Sequence, residues 1–203
     1  VIASEAAHIE VDILGRSMGK QDHYASAYGN LNIFTFTSDE VVSVEPVLFK
    51  YKAKKNIESN LMLFYLKTKR DASKILESQQ RETKNKLKEL KQLQNLVDPI
   101  RNIFSSGVNL KNFGEILHQG WEIKRKLTGD ISSNEIDDYY SMAIKAGAIG
   151  GKLLGAGGGG FLIFYVEKEN QKKVLDALSN LYFLPIEFDD SGTRITYYDQ
   201  PNV

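Results

Sequence analysis

Residues 150–168 read GGKLLGAGGGGFLIFYVEK, so four consecutive glycines, Gly157 to Gly160, stand directly before a run of apolar and aromatic residues. Glycine loses more backbone freedom on folding than any other residue. A chain that sets this cost against a buried strand gains something a shorter turn does not provide. A loose hairpin connection is the simplest reading, but an Asn-Gly pair already serves for that. With Gly155 and Ala156 ahead of it and no polar filler, the run fits a backbone that passes close to another body and presents its N–H groups. Successive bare N–H groups attract phosphate and other anions. The order of elements is wrong for a P-loop, which needs GxxxxGK[ST] leading into a helix.

The rest of the composition narrows the class. The 203 residues suffice for one large or two small domains. At 42% hydrophobic and 26% charged, with 26 basic and 26 acidic residues, the chain reads as an ordinary soluble globular protein. That neutral balance argues against nucleic acid or an anionic membrane as the main partner. No apolar run approaches the ~20 residues of a membrane span. Absence of cysteine removes disulfides and thiolate chemistry and fits a reducing, cytoplasmic setting. His8, His23 and His118 are too scattered to suggest a metal cluster.

Periodicity predicts α+β. Ile2, Ala6, Ile9 and Ile13 mark one face of an opening helix. No capping residue precedes it, which suggests an upstream piece. LNIFTFTS and EVVSVEPVLF alternate as a hairpin, and NLMLFYLKT reads as a central strand. Residues 71–98 read as one long helix stopped by Asp98-Pro99, its charged middle a solvated face. A helix closing on Gly129 follows, then one opened by Ser132 with Glu135 as a capping box. Next come a strand at 151–154, the strand FLIFYV, the helix KENQKKVLDALSNL, and a closing pair LPIEFDD and TRITYYD. Polar residues 50–59 suggest a boundary, giving domains at 1–55 and 56–203.

KLLGAGGGGFLIF resembles the third conserved motif of the GHMP kinases, the superfamily of galactokinase, homoserine kinase, mevalonate kinase and phosphomevalonate kinase. The resemblance implies a two-lobe fold, a partial N-terminal lobe followed by a ferredoxin-like C-terminal lobe. It also implies that Gly155, Ala156, Gly157, Gly158, Gly159 and Gly160 lie at the active site beside the phosphates and the phosphoryl acceptor. Phosphoryl transfer to an alcohol needs positioning, charge neutralisation and often a carboxylate that accepts the hydroxyl proton. Asp22, after Gly19, Lys20 and Gln21, stands where galactokinase-like members carry their catalytic Asp, although an Asp before a helix is commonly an N-cap. Glu10, twelve positions earlier, resembles a Mg²⁺ ligand of the sugar kinases, with a solvated Glu as the alternative and Asp12 a competitor. Lys67, Lys69 and Arg70 offer a seat for a substrate phosphate or are surface cations, and Lys152 either reaches a phosphate or faces solvent. Trp121 and Lys124 share a helix face with Leu117, and core packing fits Trp121.

Several stretches go further. HIEVDILGRSMGKQDHYASAYGNLNIFTF, HQGWEIKRKLTGDIS and IEFDDSGTRITYY look like the D-glycero-D-manno-heptose 7-phosphate kinase group and its sugar-kinase neighbours. The resemblance implies ATP and Mg²⁺ as cofactors and transfer of the γ-phosphoryl group to the anomeric hydroxyl of a sugar phosphate. A homodimer is compatible with it. An L-fucose or galactose kinase, or an inactive sugar-binding regulator, stays open. The family's second motif, Pro-x-x-x-Gly-Leu-Gly-Ser-Ser, is absent from these residues, so the chain reads as the C-terminal two-thirds of a kinase and is expected to be inactive alone.

Overall fold

The computed structural model describes residues 1–68 and 72–199. The chain divides into two compact units, Val1–Val47 together with the segment from Phe188, and Leu48–Glu187.

In the first unit, α1 (Ile2–Ala7) runs into a π-helical turn over His8–Ile13. The Leu14 N–H reaches back five residues to the Ile9 carbonyl at 2.9 Å. This wider turn carries the following side chains off the stripe of a regular helix. Ala3 and Ala7 are buried, whereas Ile2, Ile9 and Ile13 are 56%, 52% and 64% exposed, so the isoleucine face expected from periodicity is not the one this helix buries. α1 packs on α2 (Gln21–Tyr28). The hairpin of β1 (Asn32–Phe36) and β2 (Val42–Pro46) forms as the alternation predicts, with Asn32 opposite Pro46 and Phe36 opposite Val42. Tyr24 sits among Tyr28, Phe34 and Phe36 with ring centroids 6.3, 6.2 and 5.8 Å away, stacked on the first and edge-on to the others.

The end of the chain returns to this unit. Asn30 N–H donates to the Asp189 carbonyl at 2.8 Å, and Thr193 N–H donates to the Ala27 carbonyl at 3.1 Å. LPIEFDD and TRITYYD therefore do not pair with one another as two strands, and residues 186–199 hold no strand. Backbone groups that such a pair would need are used on the C-terminal end of α2.

The second unit begins with α3 (Tyr51–Asn60), so the polar stretch 50–59 is helical and buries Ala53 and Ile57, four residues apart. β3 (Leu61–Tyr65) follows, then α4 (Ala72–Glu82), a 3₁₀ turn at Thr83–Lys86, α5 (Leu87–Gln94) and α6 (Val97–Ser106). The single long helix expected over 71–98 is thus broken. Asp98-Pro99 does not stop it but lies in the first turn of α6. A proline is tolerated there because the opening N–H groups of a helix have no intrahelical acceptor.

α7 (Lys111–Lys124) ends before Gly129, with Arg125 at its C-cap, and Leu127 and Ile131 then turn into the core. α8 (Asn134–Lys145) is capped by Ser133, whose Oγ accepts the Ile136 N–H at 3.4 Å. Ser132, the expected cap, instead donates to Asp137 Oδ1 at 2.7 Å. β4 (Gly150–Leu153), β5 (Phe161–Tyr165), α9 (Lys168–Ala177) and β6 (Tyr182–Leu184) complete the unit.

The sheet order is β4-β5-β3-β6, and each adjacent pair is antiparallel. The unit's first and third strands are therefore central, which is the ferredoxin-like arrangement. Met62, Phe64, Leu162 and Phe164 project from the two central strands into a core that includes Trp121, Ile136, Leu153 and Val174. His118 Nδ1 lies 2.8 Å from the Tyr140 hydroxyl, which donates to the Gly151 carbonyl at 3.2 Å and fixes β4 from below. Burial raises the Tyr140 phenol well above its ordinary range, so it stays a donor.

Candidate functional site

The glycine loop joins β4 to β5 inside the second unit. Leu154 N–H donates to the Phe161 carbonyl at 2.8 Å and closes its base. Three loop carbonyls are then taken up. Lys124 Nζ donates to Gly155 at 2.6 Å, Gln79 Nε2 donates to Ala156 at 2.8 Å, and Leu66 N–H donates to Gly160 at 2.9 Å. On the donor side, Gly158 N–H is held by the Ile131 carbonyl at 2.8 Å. Among the described residues, the N–H groups of Gly155, Ala156, Gly157, Gly159 and Gly160 have no such partner. Carbonyls tied down beside unclaimed amides form a surface suited to an anion.

Two glycines are required by contact. Gly157 has φ +126°, and a Cβ there would stand 2.9 Å from Ile131 Cα and 3.0 Å from its carbonyl oxygen. At Gly159 a Cβ would stand 2.5 Å from the Thr68 carbonyl oxygen. The cost seen in the sequence is thus explained by backbone passing against backbone.

Two lysines flank the loop. Lys152, on β4, is partly buried, and desolvation lowers its ammonium from the usual range. Lys124, at the end of α7, is pushed down to about 8 by burial first and by the charge of Lys152 second. Trp121 is fully buried, as its place on the helix face with Leu117 suggested, while the Lys124 ammonium on that helix reaches the loop. Gln79 had no sequence signal either. Lys67 stacks its ammonium 4.3 Å from the Tyr182 ring centroid. Arg70, with Lys69, lies outside the described residues.

In the first unit, Asp22 is the second residue of α2 and is not its N-cap, which is Lys20. Its carboxylate is exposed and has no hydrogen-bond or ion-pair partner among the described residues. Gly19, Lys20 and Gln21 line one side of a cavity of about 410 Å³, with Phe36, Thr37, Glu40, Val41 and Val42 on the other. Lys20 is ion-paired with Glu40 across it.

Glu10 is held at both oxygens, by Arg16 Nη1 at 2.9 Å on Oε1 and by His23 Nε2 at 2.9 Å on Oε2. The His23 side chain is 7% exposed, and its Nδ1 is buried without a partner. Asp12 pairs with His8 at 2.8 Å. Among the described residues no three His, Asp or Glu side chains are grouped to hold a metal ion. Arg16 and His23 take both Glu10 oxygens, so a cation at Glu10 would compete with the Arg16 guanidinium. No helix among the described residues is long and apolar enough to cross a membrane.

Residues 107–183 match the family described as GHMP kinases C terminal. The D-glycero-alpha-D-manno-heptose 7-phosphate kinase of Campylobacter jejuni is 31% identical over 186 residues, 87% of this chain and 52% of that protein. A crystal structure of a D-glycero-D-manno-heptose 1-phosphate kinase from Bacteroides thetaiotaomicron aligns with a TM-score of 0.70 at 27% identity, covering 96% of this chain and 55% of that one. Galactokinase of Lactococcus lactis, complexed with galactose, shares the fold at 17% identity and a TM-score of 0.63, over 91% of this chain and 58% of that one. The chain spans about half the length of the relatives it matches.

Proposed function

From the premise that residues 107–183 are a GHMP kinase C-terminal domain, we propose that the protein is an ATP-dependent sugar kinase. Its acceptor is the anomeric hydroxyl of a sugar phosphate, with D-glycero-D-manno-heptose 7-phosphate the leading candidate. A relative 31% identical over 87% of the chain carries that substrate in its name. The observation that carries the reading is the loop of residues 155–160, with five unclaimed amides among tied carbonyls.

In the proposed reaction the acceptor oxygen forms a bond to the γ-phosphorus while the bond from that phosphorus to the β-bridging oxygen breaks, releasing ADP. Asp22 accepts the hydroxyl proton, a role open to it because its carboxylate has no partner of its own. The loop amides and Lys152 hold phosphate oxygens, and Gly19 and Lys20 line the sugar's approach. Mg²⁺ neutralises phosphate charge in such transfers when it is bound.

A coupled ADP-release assay of the full-length protein tests this against hexoses, heptoses and their phosphates. Turnover confined to a heptose phosphate is expected. Turnover with L-fucose or galactose would reassign the sugar, and binding of sugar without any ADP release would make the protein a sensor.

A further inference from the structure

We infer that Lys124 and Lys152 together form a two-cation seat for a doubly charged phosphate group at the glycine loop, with Lys124 the residue that ties α7 to that seat. The proposal deepens the kinase reading and rests on it only for the identity of the phosphate's carrier.

The case starts from unbalanced charge. Both ammonium groups are partly buried and close enough for Lys152 to act on Lys124. Neither has a carboxylate partner among the described residues. Two like charges held together out of water are unfavourable unless an anion joins them. The carboxylates of the neighbouring helices that are already ion-paired do not fill that role. On α7, Glu122 faces Arg125 at 3.6 Å and Lys126 at 4.0 Å, and Arg125 also meets Asp137 of α8 at 3.2 Å. On α5, which packs on α7, Glu89 pairs with Lys86, and Lys91 donates to Gln94. On α6, Asp98 pairs with Arg101. β5, the strand after the loop, carries no ionisable side chain other than Tyr165.

Geometry supplies the second half. Lys124 Nζ donates to the carbonyl of Gly155, the first residue of the loop, while the Gly155 N–H stays unclaimed. An ammonium has three protons, so this bond leaves two for an incoming oxygen. A dianion here would meet two ammonium groups and bare amides at once. A neutral or apolar ligand would leave both charges uncompensated. The Lys124 ammonium, pushed down to about 8, also makes anion binding draw in a proton near that pH.

Calorimetry on the full-length protein tests the proposal with pyrophosphate, ADP, adenosine, a hexose 6-phosphate and the free hexose. Lys124→Gln is expected to weaken the phosphate-bearing probes by at least about 10-fold, as for loss of a charge-assisted hydrogen bond. Adenosine and free hexose should bind as before, and Lys124→Arg should restore most of the loss. Loss confined to ADP places the nucleotide phosphates on the seat, and loss confined to hexose 6-phosphate places the acceptor's own.

A second readout is the proton balance: at about pH 8 the wild type should take up more protons than Lys124→Gln on binding pyrophosphate, seen as heats in two buffers of different ionisation enthalpy. Unchanged affinities in Lys124→Gln, or the same proton balance in both proteins, would overturn the proposal and leave the kinase reading intact. Lys124-dependent pyrophosphate binding without turnover on any sugar would do the reverse.

Discussion

The Ile131 carbonyl accepts the Gly158 N–H at 2.8 Å, which fixes the middle of the glycine loop to the turn ahead of α8. Ile131 is itself fully buried, so the loop is anchored to the core at this point.

That anchor sets different costs for different glycines. At Gly155 a Cβ meets nothing within 4 Å, and only the positive φ of 73° opposes Gly155→Ala, for about 1–2 kcal/mol. Gly157→Ala adds a collision with Ile131 and should cost more, about 2–4 kcal/mol. Urea denaturation of the two variants checks the order, and equal midpoints would mean that Ile131 moves aside.

Asp22 is exposed and unpartnered, so Asp22→Asn should leave the thermal midpoint unchanged. Turnover of the full-length protein should fall by at least ~10²-fold, the range for loss of a general base. Normal turnover would remove Asp22 from the reaction.

Glu10→Ala separates a structural role from a metal role. It strips the buried His23 of its one carboxylate partner and should destabilise the fold by about 1–3 kcal/mol. The Mg²⁺ concentration for half-maximal turnover should not change. A large rise in that concentration with unchanged stability would return Glu10 to the metal.

Stability should depend on pH through Lys124, which titrates at about 8 in the folded chain against 10.5 when unperturbed. Below about pH 8 both states carry the charge and the burial penalty is complete. From about 8 to 10.5 the unfolded chain keeps a proton that the folded chain has released, so stability rises with pH. Denaturation of wild type and Lys124→Gln between pH 7 and 10.5 should show the wild type gaining relative to the variant. A constant difference would mean that Lys124 titrates normally.

Local patterns were readable where contacts are local. The hairpin of β1 and β2, the strand Leu61–Tyr65 and the glycine loop between β4 and β5 all follow from alternation and turn residues. Lys124 and Gln79 escaped because they meet the loop 31 and 77 residues away in sequence, a distance no helix or strand period spans. The isoleucine stripe misled because the π turn at His8–Ile13 changes the period midway. Ser132 and Ser133 differ by one position, and which one caps α8 was decided by Asp137 taking the Ser132 hydroxyl.

The bonds from Ala27 and Asn30 to Thr193 and Asp189 also impose an order on biogenesis. During synthesis the helix that bears Asp22 leaves the ribosome long before its partners exist. Leu48–Glu187 clusters as a compact unit of its own and is synthesised in full before residues 189–193 of the Asp22 unit. The helix that bears Asp22 therefore waits for residues 189–193 to be made, and a chain cut short before them would hold the glycine loop but leave those two bonds of the Asp22 unit unmade.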